Sequence, residues 1–239
     1  MILENVLITG TSSGVGREAA IKFLEKGFRV FGLDINESTI QREGNYFHFL
    51  CDVSIKETLP TLENISYIVN NAGIVTPQRD AIDVNLIGYI NIIEKYGSDE
   101  NLKSIVNIGS TASIKGYDNI RYCVSQGGRD ALTKWVANNL GNDKRHIICN
   151  SINLDGIVPS ENGDGVGGTS MEPELYADKE AMEAIKNLSV LKKLATVRDI
   201  AEWIYFVLVK NTVMTGQILN IDGELTGAWK FIKYKGWDD

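Results

Sequence analysis

Cysteine, histidine and excess positive charge are all scarce in this chain, and each scarcity removes a class of function. Three cysteines in 239 residues, Cys51, Cys123 and Cys149, have neither the density of a disulfide scaffold nor the spacing of a metal knuckle. They read as buried or half-buried thiols of a reducing compartment. Cys123, beside Tyr122, is either a packed thiol or a nucleophile, and no histidine stands near it in sequence to activate it. The two histidines, His48 and His146, are weak metal ligands, so no metal site is expected. Lysine and arginine number 24 against 31 aspartates and glutamates, a formal charge of −7 that argues against nucleic acid as the main partner. Long apolar runs are missing too. The run 200–209 contains Glu202 and is far too short to span a bilayer. Val6-Leu7-Ile8 begins without the basic segment and apolar stretch of a signal peptide. A cytoplasmic protein without membrane contact is expected.

What is present is strand and crossover in alternation. A chain of 239 residues suits one large α/β domain, because an open sheet with helices on both faces shares a continuous core. Short apolar runs predict strands over 6–8, 28–33, 46–50, 67–69, 104–108, 146–152 and 217–221. Helical spacing covers 18–25, 81–94, 121–139 and 177–188. The fold class implied is a Rossmann-like, doubly wound parallel sheet in three α/β/α layers. Gly127-Gly128 interrupt the longest helix, at a cost of roughly 1 kcal/mol each relative to alanine, which close approach to another helix or a partner subunit would offset. The glycine-rich stretch 156–171, with the helix beyond it, reads either as a flexible cover over a site, spanning about 156–190, or as a plain surface loop.

The first candidate site follows the first strand. Thr9-Gly10-Thr11-Ser12-Ser13-Gly14-Val15-Gly16 opens a helix, the context in which a glycine-rich loop binds a dinucleotide. Gly10 allows a sharp turn, Gly14 lets the backbone approach a pyrophosphate, Gly16 permits close helix packing, and helix-end amides face the phosphates. Thr9, Ser12, Ser13 and Val15 complete the expected cradle. Asp34 ends the second strand, where a carboxylate accepts both hydroxyls of the adenosine ribose and repels a 2′-phosphate. NAD is therefore the expected cofactor. Asp52, with Val53, follows the third strand. Its carboxylate either meets the adenine amino group or caps a turn. Asn70, Asn71, Ala72 and Gly73 follow the fourth strand, with amides able to bridge strands and a glycine where backbone meets cofactor.

Taken together these segments resemble the short-chain dehydrogenase/reductase family. The resemblance runs from Val6 to about Gly223 and adds Asn85, Ser110 at a strand end, Tyr122 with its helix, and Thr215-Gly216-Gln217 before Ile221-Asp222-Gly223. It implies that Tyr122 is the general acid/base, Ser110 orients the reacting oxygen and Asn85 supports a water-linked proton relay. The family's lysine, four residues after the tyrosine, holds the nicotinamide ribose and lowers the phenol pKa. Here that position is Gln126. Ser110 also lies one residue closer to Tyr122 than is common in the family, with Thr111 as the alternative hydroxyl.

A phenol ionises near pH 10, and a nearby cation favours the phenolate. Glutamine can still hydrogen-bond the ribose through its amide, but it carries no charge. Three readings follow: a dehydrogenase with a shifted pH optimum or a lysine borrowed from elsewhere, Lys115 being the nearest; an enzyme using bound NAD for an internal redox step such as epimerisation; or an NAD-binding scaffold with little turnover. Other departures from the family pattern concern the substrate. Leu154-Asp155 replaces a proline-glycine pair, read either as a displaced turn or as an acidic side chain that binds a polar substrate or stabilises a cationic cofactor, and Asp222-Gly223-Glu224 replaces an ending of aspartate and two glycines. The interval from Asn71 to Asn85 is shorter than usual, which opens the entrance. Glu161, Asp164, Glu172 and Glu174 disfavour a strongly anionic substrate. A small polar alcohol or carbonyl compound, sugar-like, is the expected substrate. The extension 225–239, with Trp229, Phe231, Tyr234 and Trp237, is expected to pack at a homo-oligomer interface, on its own chain, or over the site, and the resemblance implies a dimer or tetramer.

Overall fold

The structure is a computed structural model that describes residues 3–41, 44–75, 79–158 and 178–223. Most of the glycine-rich stretch and all of the aromatic extension lie outside the described residues. Seven parallel strands form one sheet in the order β3-β2-β1-β4-β5-β6-β7. They are β1 (Asn5–Thr9), β2 (Arg29–Asp34), β3 (Tyr46–Leu50), β4 (Ile65–Asn70), β5 (Ser104–Ser110), β6 (Ile148–Leu154) and β7 (Ile218–Ile221). Every residue of β1 and β4 is buried, which explains why these strands read as continuous apolar runs rather than alternating ones.

Side chains nevertheless alternate between two cores. Val6, Ile8, Val69 and Val106 enter the core beneath α1 (Gly14–Glu25), whereas Leu7, Ile68 and Ile105 enter the opposite one. The opposite face is covered by α2 (Gly88–Tyr96) and α4 (Ile120–Asn139), which supply Ile92, Ile93 and Val136. Between them lies the short α3 (Ala112–Lys115). Beyond α5 (Lys179–Leu188), α6 (Val197–Tyr205) packs beside α1, with the rings of Phe23 and Tyr205 centred 5.6 Å apart. Phe23 is fully enclosed, and burying such a side chain stabilises by about 1.5–3 kcal/mol. The start of α6 is fixed by a capping box between Thr196 and Asp199.

Two helical details bear on the site. The glycine pair does not break α4, which runs unbroken from Ile120 to Asn139. A Cβ on Gly128 would sit 2.6 Å from Leu86, so this glycine permits close approach to the helix that precedes α2, while Gly127 faces open space. That preceding helix is a π turn, Asp83–Ile87, centred on Asn85 and continuous with α2. Strand order reverses between β1 and β4, so the crevice at their carboxyl ends is the natural ligand site of such a sheet.

Candidate active site

A cavity of about 770 Å³ opens at that crevice. Its floor at one end is the glycine loop. Gly10 adopts φ +75°, a conformation that disfavours any side chain, and a Cβ on Gly16 would overlap the Gly10 carbonyl and the Asn71 amide. Ser13 occupies the N-cap of α1 without a side-chain capping bond, and Gly14 and Val15, at the start of that helix, line the cavity. First-turn amides and the positive end of the helix dipole suit an anion there. Ser12 is buried beneath the loop, its hydroxyl donating to the Asn36 carbonyl at 3.1 Å.

Thr9 joins this loop to the segment after β4. Its buried hydroxyl oxygen accepts the backbone amides of Asn71 and Ala72, each at 2.9 Å. The Asn71 side chain donates back to the Thr9 and Gly10 carbonyls at 3.0 and 3.3 Å. Asn70 reaches sideways to Asn107, which in turn donates to Thr133 of α4. The bridging expected of these amides is present, and Gly73 lines the cavity with Asn71 and Ala72.

Asp34 faces the cavity from the end of β2. One carboxylate oxygen accepts the Ser12 amide at 3.0 Å, and the other accepts the Asn36 amide at 2.9 Å. Asp52 takes the turn-cap role of its two expected ones. It lines the cavity, yet one oxygen accepts the amide and hydroxyl of Ser54 as a turn cap, and the other pairs with Arg79. Burial pushes its pKa up, but the Ser54 bonds and the Arg79 guanidinium outweigh this and leave it below the usual carboxylate range. Val53 is buried against the Cα of Gly88. Cys51 also lines the cavity, and its thiol is pushed up to about 11 by burial and by the charges of Asp34 and Asp52, so it is an inert neighbour rather than a nucleophile.

At the other end, Ser110 and Tyr122 line the same cavity. Tyr122 lies in the first turn of α4, where its amide donates to the capping Asn119 side chain at 3.0 Å. Thr111, the alternative hydroxyl, is fully buried and donates to Asp155 at 2.7 Å. Ser110 is thus the hydroxyl that the cavity reaches. Asn85 and Gln126 lie behind this wall, exposed by 0% and 1%. The Asn85 side chain is clamped to the Ile74 backbone by two bonds of 2.8 Å and donates to Ser125 at 3.3 Å. Gln126 donates to the same Ser125 hydroxyl at 3.4 Å, and its Oε1 is buried without a hydrogen-bond partner.

Two charged features were not assigned by sequence reasoning. Asp155 accepts Thr111, Lys115 and Tyr117 on one oxygen at 2.7, 2.7 and 3.1 Å, which ties the Lys115 ammonium to the segment after β6 rather than to Gln126. Tyr117 is pushed up to about 12, chiefly by burial, with the Thr111 bond opposing and the Asp155 charge adding to the rise. Arg129, on the buried stripe of α4 below Gln126, reaches the cavity wall while only 4% exposed. Helical spacing from Tyr122 was the signal that could have found it. Among the described residues no group of three or more His, Cys, Asp or Glu side chains could hold a metal ion, and no helix is long and apolar enough to cross a membrane.

Residues 4–163 match the family described as short chain dehydrogenase. Over 249 residues the chain is 28% identical to L-xylulose reductase of Caenorhabditis elegans, a match that covers 92% of this chain and 94% of that protein. It is also 28% identical to 3beta-hydroxysteroid dehydrogenase of Mediterraneibacter gnavus, over 92% of this chain and 94% of the relative. Among solved structures, 4-hydroxyisoleucine dehydrogenase complexed with NADH superposes with a TM-score of 0.77 at 27% identity, covering 92% of this chain and 97% of that one. The three relatives are named for a sugar, a steroid and a hydroxylated amino acid, so their shared scaffold serves chemically different substrates.

Proposed function

Because the chain belongs to the short-chain dehydrogenase family, we propose that it transfers hydride reversibly between NAD and a small polar secondary alcohol or ketone, with a sugar-like compound the best fit. The observation that carries this reading is that the Ser110 and Tyr122 hydroxyls share one cavity with the glycine loop and the Asp34 carboxylate. NAD, when bound, supplies the hydride-accepting ring.

The chain's own residues do the rest. Ser110 holds the reacting oxygen, and Tyr122 exchanges its proton. Asn85 anchors the wall behind them through Ile74 and Ser125. Gly10, Gly14 and Val15 receive the pyrophosphate at the start of α1, Gly16 lets that helix pack closely against the loop, Thr9 and Ser12 hold that loop in shape, and Asn71 to Gly73 form the facing edge. NAD is preferred over NADP because Asp34 brings a negative charge to the adenosine ribose. The cations nearest along the loop are committed elsewhere, Arg17 to Glu18 and Thr39, and Arg79 to Asp52. Gln126 stands where the family has its lysine, which leaves the site without the family's ammonium.

We read residues 1–239 as a single domain that self-associates as a dimer or tetramer. The enclosed, uncharged Gln126 favours a second reading, an NAD-binding scaffold with little turnover. A panel of polyols, sugars and simple ketones, followed by NADH formation or loss, separates the two. Tyr122→Phe is expected to lower turnover by about 10²–10⁴ while leaving NADH affinity within a small factor. Undiminished turnover in that variant would refute the role of Tyr122, and tight NADH binding with no turnover across the panel would favour the scaffold.

A further inference from the structure

Arg129 is a buried guanidinium whose charge has no carboxylate partner among the described residues. Its Nε donates to the Asn85 carbonyl at 2.8 Å, one terminal nitrogen donates to the Tyr89 hydroxyl at 3.1 Å, and the group lies 4.4 Å from the centre of the Tyr89 ring. Each of these partners is neutral. Burial pushes Tyr89 up to about 12, with the Arg129 charge opposing, so this phenol stays protonated and donates to the Ile108 carbonyl at 3.0 Å. Enclosing an uncompensated charge is costly unless a negative charge is due at the same place.

The geometry says where that negative charge forms. Arg129 follows Tyr122 by seven residues, two turns along the same face of α4, and both line the cavity. Arg129 bonds to Tyr89 on one side, and on the other it lines the same cavity as Tyr122. The π turn brings the Asn85 carbonyl to the guanidinium, and Gly128 lets the two helices approach closely enough for it to do so. Among the described residues, the charged and titratable groups of the segments just before Tyr122 and just after β6 are also accounted for. Lys115 and Asp155 neutralise one another, Tyr117 is held protonated by burial, and Asp118 is exposed to solvent.

We propose that Arg129 is the fixed cation of this site, a positioning residue that favours the deprotonated form of Tyr122 from below Gln126. It supplies the charge that the amide withholds. This rests on the reading of Tyr122 as the group that exchanges the substrate proton, and the test below needs neither substrate nor turnover.

The full-length protein, labelled with ¹³C at the tyrosine ring carbon that bears oxygen, is titrated by NMR, and Tyr122→Phe identifies the resonance. Arg129→Met is expected to raise the Tyr122 midpoint by about one pH unit or more, the size of effect an adjacent charge has on an ionisable group. Arg129→Gln, whose amide can still donate to the Asn85 carbonyl, is expected to do the same, and it stands in if the methionine variant fails to fold. Gln126→Lys in the Arg129→Met background is expected to bring the midpoint back down. A midpoint that stays in place in a folded, uncharged variant overturns the proposal, since a purely structural arginine would alter the melting temperature and leave the titration alone. Failure to find any alcohol that is oxidised would count against the dehydrogenase reading and would leave this titration as it stands.

Discussion

Replacing Asp34 with alanine should exchange a preference for NADH for indifference or a preference for NADPH. In the structure its carboxylate accepts three hydrogen bonds, from the Ser12 amide at 3.0 Å and from the Asn36 amide and side chain at 2.9 and 3.3 Å. A carboxylate has about four acceptor sites, so a ribose hydroxyl can take the remaining one and a second can displace the long Asn36 side-chain bond. A hydrogen bond to a charged group contributes about 1.5–3 kcal/mol, so losing one weakens NADH by roughly 10- to 150-fold. A 2′-phosphate placed about 5 Å from the carboxylate is repelled by about 1–3 kcal/mol per unit charge, depending on solvent access, and the same substitution removes that penalty for NADPH. The ratio of the two dissociation constants should therefore move by about 100-fold or more. Calorimetric titration with each cofactor at fixed salt measures it. Alanine also strips the Ser12 amide of its acceptor, so Asp34→Asn, which keeps one oxygen for that amide, separates loop damage from charge. If the ratio stays within about threefold of the starting protein in both variants, Asp34 does not select the cofactor and the electrostatic reasoning fails.

Two further predictions concern what holds the crevice in shape. Thr9→Val keeps the side chain's size but orphans the Asn71 and Ala72 amides. At about 1–3 kcal/mol for each unsatisfied group, urea unfolding should report a loss of about 2–6 kcal/mol, and a loss below about 0.5 kcal/mol would mean that water replaces the hydroxyl. Asp199 carries a lowered pKa, because the backbone and side-chain bonds with Thr196 and the nearby Lys193 outweigh the upward push of burial. Its contribution to stability is present above the unfolded carboxylate value near pH 4 and is lost as pH falls through the lower folded value. Thr196→Ala should cost about 0.5–2 kcal/mol at neutral pH, with the difference from the parent shrinking in acid, and a difference that is constant from pH 7 to pH 2 would show that the carboxylate plays no part.

Much of this architecture is legible in the sequence because the strands are buried on both faces. Val6 to Ile8 and Tyr67 to Val69 are apolar without interruption, and the structure extends them by Asn5 and Thr9 in β1 and by Ile65, Ser66 and Asn70 in β4, all buried. The glycine loop is legible for a related reason, since its residue types are dictated by backbone conformation and lack of space. What could not be read depends on partners distant along the chain. Arg129 looks like an ordinary charged helix residue until Asn85 and Tyr89 are seen to surround it, and Asp155 looks like a turn until Thr111, Lys115 and Tyr117 converge on it. The glycine pair of α4 invited the opposite error. Local propensity suggested an interruption, but the packed helix tolerates both residues and uses one of them. The short α3 and the capped α6 were missed because a turn-length helix has no periodicity to detect and because the run 200–209 was judged only against a membrane span.

The π turn at Asp83–Ile87 has a consequence for how this protein can change over evolutionary time. A π turn is a helix carrying one residue more than its ladder needs, so the excess can be erased by a single deletion. Such a deletion would heal the helix and, at about 100° of rotation per residue in a regular helix, swing the chain before it away from its present facing. Asn85, its grip on Ile74 and its carbonyl bond to Arg129 would all go out of register together. Length variation, elsewhere absorbed by loops, is forbidden at this point, because here a count of residues, more than their identity, aligns two helices.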